Sequence, residues 1–325
     1  MTRPELLLPN KLKRGDTICV VAPASPVADL PSLDAGIRLL QERGFRVLEG
    51  AHVRDSRLLF AGEDADRAHD LNRAFGDSTI DAIICAKGGA GTARMLPFID
   101  FKLISRNPKI FVGYSDLTIL QTALLQRCGL VSFYGPMVAT EIGRSFPPFA
   151  EDNFFRMLTT PDLTLQLRNG PRKKMLTLYP GEARGQLVGG CLSVFVTALG
   201  TEWEIDTRDK ILFFEDVDEK PHRIDRYLTQ LLLANKLQAA SAILFGGFTR
   251  CEYRNDRTST GPLARTIDIV RDRVAHLEKP CLYGLQFGHM RDMLTIPNGG
   301  YAFVDATNQR VVVEPAVKNS SAVSG

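Results

Sequence analysis

The stretch KIFVGYSDLTILQTALLQRCG, Lys109 to Gly129, constrains this chain more than any other. Ile110 to Gly113 reads as a buried strand that turns sharply into a helix. Leu117, Leu120 and Leu124 recur at helical spacing, and Gly129 supplies a stop. Ser115 falls at the turn, at a strand end and near the positive end of a helix. In a parallel sheet this is where ligands bind. Two readings fit the serine: an N-cap bonding the amide of Leu117 or Thr118, or a nucleophile on a strand–turn–helix elbow.

The same alternation runs through the first half of the chain. DTICVVA, from Asp16, is a first strand ending in the turn-rich loop Pro23 to Val27. Leu33, Ile37 and Leu40 mark one face of a helix that Gly44 ends. Arg46 to Leu48 is a candidate second strand. A helix from about Asp64 to Phe75 turns Ala68, Leu71 and Phe75 inward and stops at Gly76. DAIICA, Asp81 to Ala86, is a third strand opening into KGGAG, Lys87 to Gly91. Strands alternating with helices predict a parallel sheet with helices on both faces, a Rossmann- or flavodoxin-like α/β domain.

A chain of 325 residues exceeds what one core usually holds, so two domains are expected. The first spans 1–160. SFPPF and the basic run RNGPRKK then break the pattern, and 161–180 reads as a linker. The basic run fits either a patch for an acidic ligand or a solvated loop. Residues 181–317 form a second α/β domain. It has strands at Lys210 to Asp216 and Ser241 to Phe248, and a helix burying Ile224, Tyr227, Leu228 and Leu231. Pro262 is expected to start another helix, YAFVD and RVVVEP to form a hairpin turned at Thr307 to Gln309, and 318–325 to be a disordered tail.

Composition excludes several function classes. Hydrophobic residues make up 44% and charged residues 24%, as in ordinary globular proteins, and a net charge of +3 gives no ground for nucleic-acid or membrane binding. The six cysteines are widely spaced without a CxxC pair, which predicts reduced core thiols rather than disulfides or zinc ligands. Neither a secretion signal nor a membrane-length apolar segment is present, so a cytoplasmic protein is expected.

Three stretches carry candidate chemistry besides Ser115. KGGAG fits a phosphate cradle, an oxyanion hole formed by amides of Gly88 or Gly89, or a tight turn that needs glycine. FFEDVDEK places Glu215, Asp216, Asp218 and Glu219 after a strand, as magnesium ligands or as acidic residues before a helix. Glu215 follows ILFF directly, at a strand end where a carboxylate can orient an imidazole. Of the five histidines, His289 is the best general base: it lies in a loop after a strand and follows Gly288. A serine, a carboxylate and a histidine in this order can make a hydrolytic triad.

These residues also carry a resemblance. VVAPASPV, ICAKGGAGTARMLPFID, FVGYSDLTILQTALL, GQLVGGCLSVFVTALGTEWEID, ILFFEDVDEKPHRIDRYLTQL and FGHMRDMLTIPNGG occur in the family order of the serine LD-carboxypeptidases. This muramoyltetrapeptide carboxypeptidase group includes the microcin C immunity peptidases, and the chain resembles it over about residues 12–315. The resemblance implies Ser115 as nucleophile, Glu215 as triad acid, His289 as base, and the amides of Gly89 and Asp116 as oxyanion hole. It implies a parallel α/β N-terminal domain and a β-rich C-terminal domain, a groove between them, and a homodimer. Neither metal nor cofactor is implied. The reaction would cut an L,D peptide bond and release the terminal D-alanine of a muropeptide tetrapeptide in cytoplasmic recycling of cell wall.

Departures from the family pattern bear on the substrate. The glycine loop often reads RGGYG, against KGGAG here, and Lys87 cannot make arginine's bidentate contact with a carboxylate. A block often written HGP is Tyr134-Gly135-Pro136, and Met293 stands where asparagine is common. Lys87, Gly88, Tyr134 and Arg226 are the candidate substrate-binding residues. One alternative is an immunity-type peptidase acting on peptidyl or aminoacyl nucleotides, in which an aromatic stacks on the base. Trp203, the only tryptophan, fits core packing better. Another is a non-catalytic nucleotide- or sugar-binding α/β protein using KGGAG.

Overall fold

The computed structural model describes residues 5–170, 173–253 and 264–319. The first part of the chain supplies strands β1 (Thr17–Val21), β2 (Arg46–Glu49), β3 (Ala82–Cys85), β4 (Ile110–Gly113) and β5 (Ser132–Tyr134). Between and after them run helices α1 (Leu30–Glu42), α2 (Asp64–Gly76), α3 (Thr92–Met95), α4 (Phe101–Arg106), α5 (Thr118–Cys128) and α6 (Pro148–Thr159). The five strands pair in parallel in the order β5-β4-β3-β1-β2. β1, β3, β4 and β5 are buried along their whole length, as strands covered on both faces must be. The edge strand β2 is mostly exposed. Gly129 ends α5 in the left-handed conformation, at φ +70°.

The rest of the chain supplies β6 (Leu165–Leu167), β7 (Leu176–Tyr179), β8 (Glu182–Cys191), β9 (Ile211–Val217), β10 (Ala242–Thr249), β11 (Cys281–Tyr283), β12 (Ile296–Asn298), β13 (Tyr301–Asp305) and β14 (Arg310–Val313). Its helices are α7 (Leu192–Thr197), α8 (Pro221–Leu233), α9 (Lys236–Ala239) and α10 (Thr266–Val274). Eight of these strands form a second, mixed sheet in the order β6-β14-β13-β8-β9-β10-β11-β7. β8 to β11 are its parallel centre, and antiparallel strands close both edges. The expected hairpin is β13–β14, with Asp305 opposite Arg310.

Three placements differ from the sequence expectation. The stretch 161–180, read as a linker, contains β6 and β7, which occupy opposite edges of the second sheet. They are three and four residues long, too short to show a continuous apolar run. Lys318, placed in the disordered tail, pairs with the N-terminal segment: its amide donates to Pro9 and its carbonyl accepts from Lys11. Residues 320–325 lie outside the described residues, as does Pro262, and α10 begins at Thr266. Finally, β12 leaves the second sheet altogether and pairs antiparallel with β5 at the edge of the first.

Strand alternation in β9 defines two sides of the second sheet. Ile211 and Phe213 join the large core shared with the first sheet, whereas Leu212 and Phe214 join a separate core with Ile224, Leu228 and Val270. The shared core therefore runs unbroken between the sheets. All six cysteines are buried and unpaired. Among the described residues, no helix is long and apolar enough to cross a membrane.

Candidate active site

The elbow after β4 is built by local strain. Ser115 has φ +67°, a region that residues with a side chain seldom occupy. Its hydroxyl caps no helix; α5 has no side-chain cap. Instead the Thr118 hydroxyl donates to the Ser115 carbonyl at 2.7 Å, holding the turn from within. Asp116 fixes the next loop, accepting from the amide and hydroxyl of Thr92 at 2.8 and 2.6 Å. Burial raises the Asp116 pKa, against the lowering effect of those two bonds.

The glycine loop after β3 lies directly beside the elbow. A side chain at Gly88 would come within 2.9 Å of Ser115 Cβ and 3.2 Å of its Oγ, so only glycine admits this approach. The Ser25 hydroxyl, from the loop after β1, accepts from the Ala90 amide at 3.0 Å. Lys87 is half-buried at the start of this loop.

The second sheet presents Glu215 by alternation. It shares the face of Ile211 and Phe213, so its fully buried carboxylate points toward the first sheet. Asp216, on the opposite face, accepts from the amide of Ser193 in α7 at 2.8 Å. Burial, then the charge of Glu215, pushes its pKa up to about 6. The remaining acidic residues of this stretch are taken up in ion pairs: Asp218 pairs with Arg250 and Glu219 with Arg223.

His289 reaches the site because its loop starts in one sheet and ends in the other, between β11 and β12. Gly288 sits so close to Glu215 that an added Cβ would fall 2.3 Å from the carboxylate oxygen. That contact lets the His289 amide donate to Glu215 Oε2 at 3.0 Å, while His289 Nδ1 lies 2.8 Å from the same oxygen. His289 Nε2 is 3.0 Å from Ser115 Oγ. Burial disfavours the charged imidazole, but the charge and hydrogen bond of Glu215, with the charges of Asp216 and Glu141, together raise the His289 pKa. The Tyr114 ring meets the imidazole edge-on at 4.9 Å.

The candidate substrate-binding residues divide. Gly88 borders the Ser115 hydroxyl. Tyr134 cannot touch a substrate: it is fully buried, and its hydroxyl is engaged by Glu215 and by the Ser115 amide. Arg226 is not brought to the site either. It is exposed on α8, whose apolar residues pack on the Leu212–Phe214 face, opposite the face that carries Glu215. Met293 is fully buried, and Trp203 packs against Phe101 beneath Arg127. Sequence reasoning missed the structural part of Tyr134 and of Thr118. The signal available for Tyr134 was its position at the end of β5, next to β4, at the same sheet end as Ser115.

Comparison with known proteins gives two family matches in chain order. Residues 18–135 match the LD-carboxypeptidase N-terminal domain, and residues 184–304 match the LD-carboxypeptidase C-terminal domain. A Bacillus subtilis protein named "Probable murein peptide carboxypeptidase" is 38% identical over 96% of this chain and 96% of its own. The microcin C7 self-immunity protein MccF of Escherichia coli is 28% identical over 96% of this chain and 97% of its own. A solved structure under that protein name, a mutant in complex with adenosine monophosphate, aligns with a TM-score of 0.88 at 25% identity, covering 96% of this chain and 100% of the other. The crystal structure of muramoyltetrapeptide carboxypeptidase from Oxalobacter formigenes aligns with a TM-score of 0.79 at 28% identity, covering 94% of this chain and 100% of the other.

Proposed function

The chain belongs to the LD-carboxypeptidase family, and from that premise we propose that it is a serine hydrolase that releases the terminal D-alanine from muropeptide tetrapeptides. The observation that carries this reading is the unbroken line of contacts from Ser115 Oγ through His289 to Glu215, each 3.0 Å or less. Ser115 Oγ attacks the carbonyl of the L,D bond while His289 Nε2 takes its proton. Glu215 holds the ring through Nδ1 and stabilises the imidazolium. The same proton then passes to the leaving amine of D-alanine, and water repeats the sequence on the acyl-enzyme. The amides of Gly89 and Asp116 receive the oxyanion, a contribution typically worth about a hundredfold or more in rate. The Lys87 ammonium, at the entrance to the glycine loop, receives the substrate carboxylate.

In this reading the part of the chain up to residue 160 supplies the nucleophile, and residues 181–317 supply the acid and the base. The protein acts in the cytoplasm, in cell-wall recycling, as a homodimer. The deciding experiment is mass spectrometry of a purified muropeptide tetrapeptide incubated with wild-type protein or Ser115→Ala. Loss of one D-alanine with the wild type alone is expected; loss with both, or with neither, refutes the assignment.

A second reading rests on the similarity to MccF, a self-immunity protein. Here the same three residues cleave a peptidyl or aminoacyl nucleotide. Incubation with an aminoacyl sulfamoyl adenosine separates the two: only the second reading predicts release of the amino acid.

A further inference from the structure

We propose that Tyr134 is a positioning residue for the Glu215–His289 pair, its hydroxyl tying the backbone of the Ser115 elbow to the carboxylate that orients the imidazole. The proposal builds on the assignment of Ser115 as nucleophile. Two hydrogen bonds fix where the phenolic proton goes. The Ser115 amide can only donate, and it does so to the Tyr134 oxygen at 3.1 Å. Tyr134 in turn donates to Glu215 Oε1 at 2.6 Å. Glu215 is thus held from both sides, by this phenol from the first sheet and by His289 from the returning loop.

The surroundings leave the ring one position. Tyr134 meets Tyr114 and Phe213 edge-on, with centroids 5.8 and 5.6 Å away. Gly190, at the end of β8, makes room for it: a side chain there would come within 2.9 Å of Tyr134 Cε2. Burial first, and the Glu215 charge second, hold the phenol far above its ordinary pKa, so it remains a donor. The titratable groups that feel the Glu215 charge are Tyr114, Cys191, Asp216 and Cys251, and the charges of Asp216 and Glu141 act on the imidazole as well. Among the described residues, none of these donates a hydrogen bond to Glu215. Without the phenol, a buried carboxylate loses the one donor that it has outside His289 among the described residues. The carboxylate–imidazole pair then holds its proton more tightly, and the imidazole is a poorer base near neutrality.

The test reads the serine without any peptide substrate. A fluorophosphonate probe forms a bond from phosphorus to Ser115 Oγ and expels fluoride, while His289 accepts the hydroxyl proton. The labelling rate is followed by mass spectrometry of the intact protein across pH. Tyr134→Phe is expected to label about tenfold to a hundredfold more slowly, the usual weight of a hydrogen bond to a charged group. Its acid-side midpoint should move to higher pH, which looser packing alone would not cause. Tyr134→His, which restores an N–H donor, should recover part of the rate. In a Glu215→Gln background, removing the phenol should cost no more than about twofold, because it acts through Glu215.

Wild-type rate and midpoint in Tyr134→Phe, or independent losses that multiply in the double variant, overturn the proposal. Should Tyr134→Phe fail to fold, the same double-variant comparison with Tyr134→His decides it. Absence of labelling at Ser115 in the wild type overturns the nucleophile assignment itself, and this proposal with it.

Discussion

The ends of β4 and β9 hold their functional groups by opposite means. Ser115 occupies a strained backbone conformation, at a cost of about 1–3 kcal/mol for a residue with a side chain, and the groups that hold it there, Thr118 and Tyr134, come from within nineteen positions. Glu215 sits in a regular strand without strain. Its cost is the removal of a carboxylate from water, offset by donors 81 and 74 positions away in the chain. One group is made ready by geometry, the other by charge. Changes in backbone freedom should therefore register at the first, and changes in charge at the second.

The largest effect is expected at the strained end. Ser115→Ala and Ser115→Gly should each lower peptide hydrolysis by about ten-thousandfold or more. The two should part in stability. Glycine accepts φ +67° and alanine does not, so urea denaturation should find the glycine variant about 1 kcal/mol more stable. Equal stabilities would mean that the strain is not localised at this residue.

Next is the charged end. Glu215→Gln keeps the shape and removes the charge, and should lower kcat by about a thousandfold. The pH profile tests the cause. Because Glu215 raises the His289 pKa against the effect of burial, the acid limb of kcat/KM should lie above the ordinary imidazole value in the wild type. In Glu215→Gln it should fall back to lower pH. An unmoved limb would show that the carboxylate charge is not felt by the ring.

A mixed case lies between the two ends. Gly288→Ala would press a methyl group against the Glu215 carboxylate, and Gly288 itself has φ +94°. Backbone and charge are disturbed together, and a loss of about a hundredfold in kcat is expected, with a lowered Tm. Retention of full activity would show that the carboxylate has slack.

The smallest effect on rate belongs to Asp216, one residue from Glu215 but on the other face. Asp216→Asn should stay within about tenfold of wild-type activity. Its signature is in stability against pH. Asp216 has its pKa raised from 3.8 to about 6, so the folded state holds this proton more tightly than the unfolded state. Its contribution is full below the unfolded value and is lost as pH rises toward 6, by about 3 kcal/mol at most. The asparagine variant should lack that decline in denaturant titrations between these pH values.

The pattern of what could be read in the sequence follows the same division. The central strands β1, β3 and β4 were legible because both faces are buried, which leaves continuous apolar runs such as DAIICA and KIFVG. The elbow was legible because it is local. Ser115, Glu215 and His289 could be singled out by residue type and motif, but their meeting could not, since it depends on β12 leaving one sheet for another across a short segment, IPN. β6 and β7 escaped because each is only three or four residues long, and the basic, turn-rich run between them dominates the stretch. Tyr134 and Arg226 were placed near substrate from the motifs around them; burial of one and the opposite-facing helix of the other come from packing over long separations.

The return of β12 to the first sheet has a consequence for the life of the newly made chain. The histidine is carried on a loop anchored at both ends, and its far anchor, residues 296–298, is made long after the strand it pairs with, residues 132–134. Until that segment has paired with residues 132–134, no base faces the serine. A chain that has not yet made this segment therefore holds the strained Ser115 hydroxyl without His289 beside it. In a timed cell-free synthesis, reactivity of Ser115 should lag behind its translation and appear only after residues 296–298 have been made.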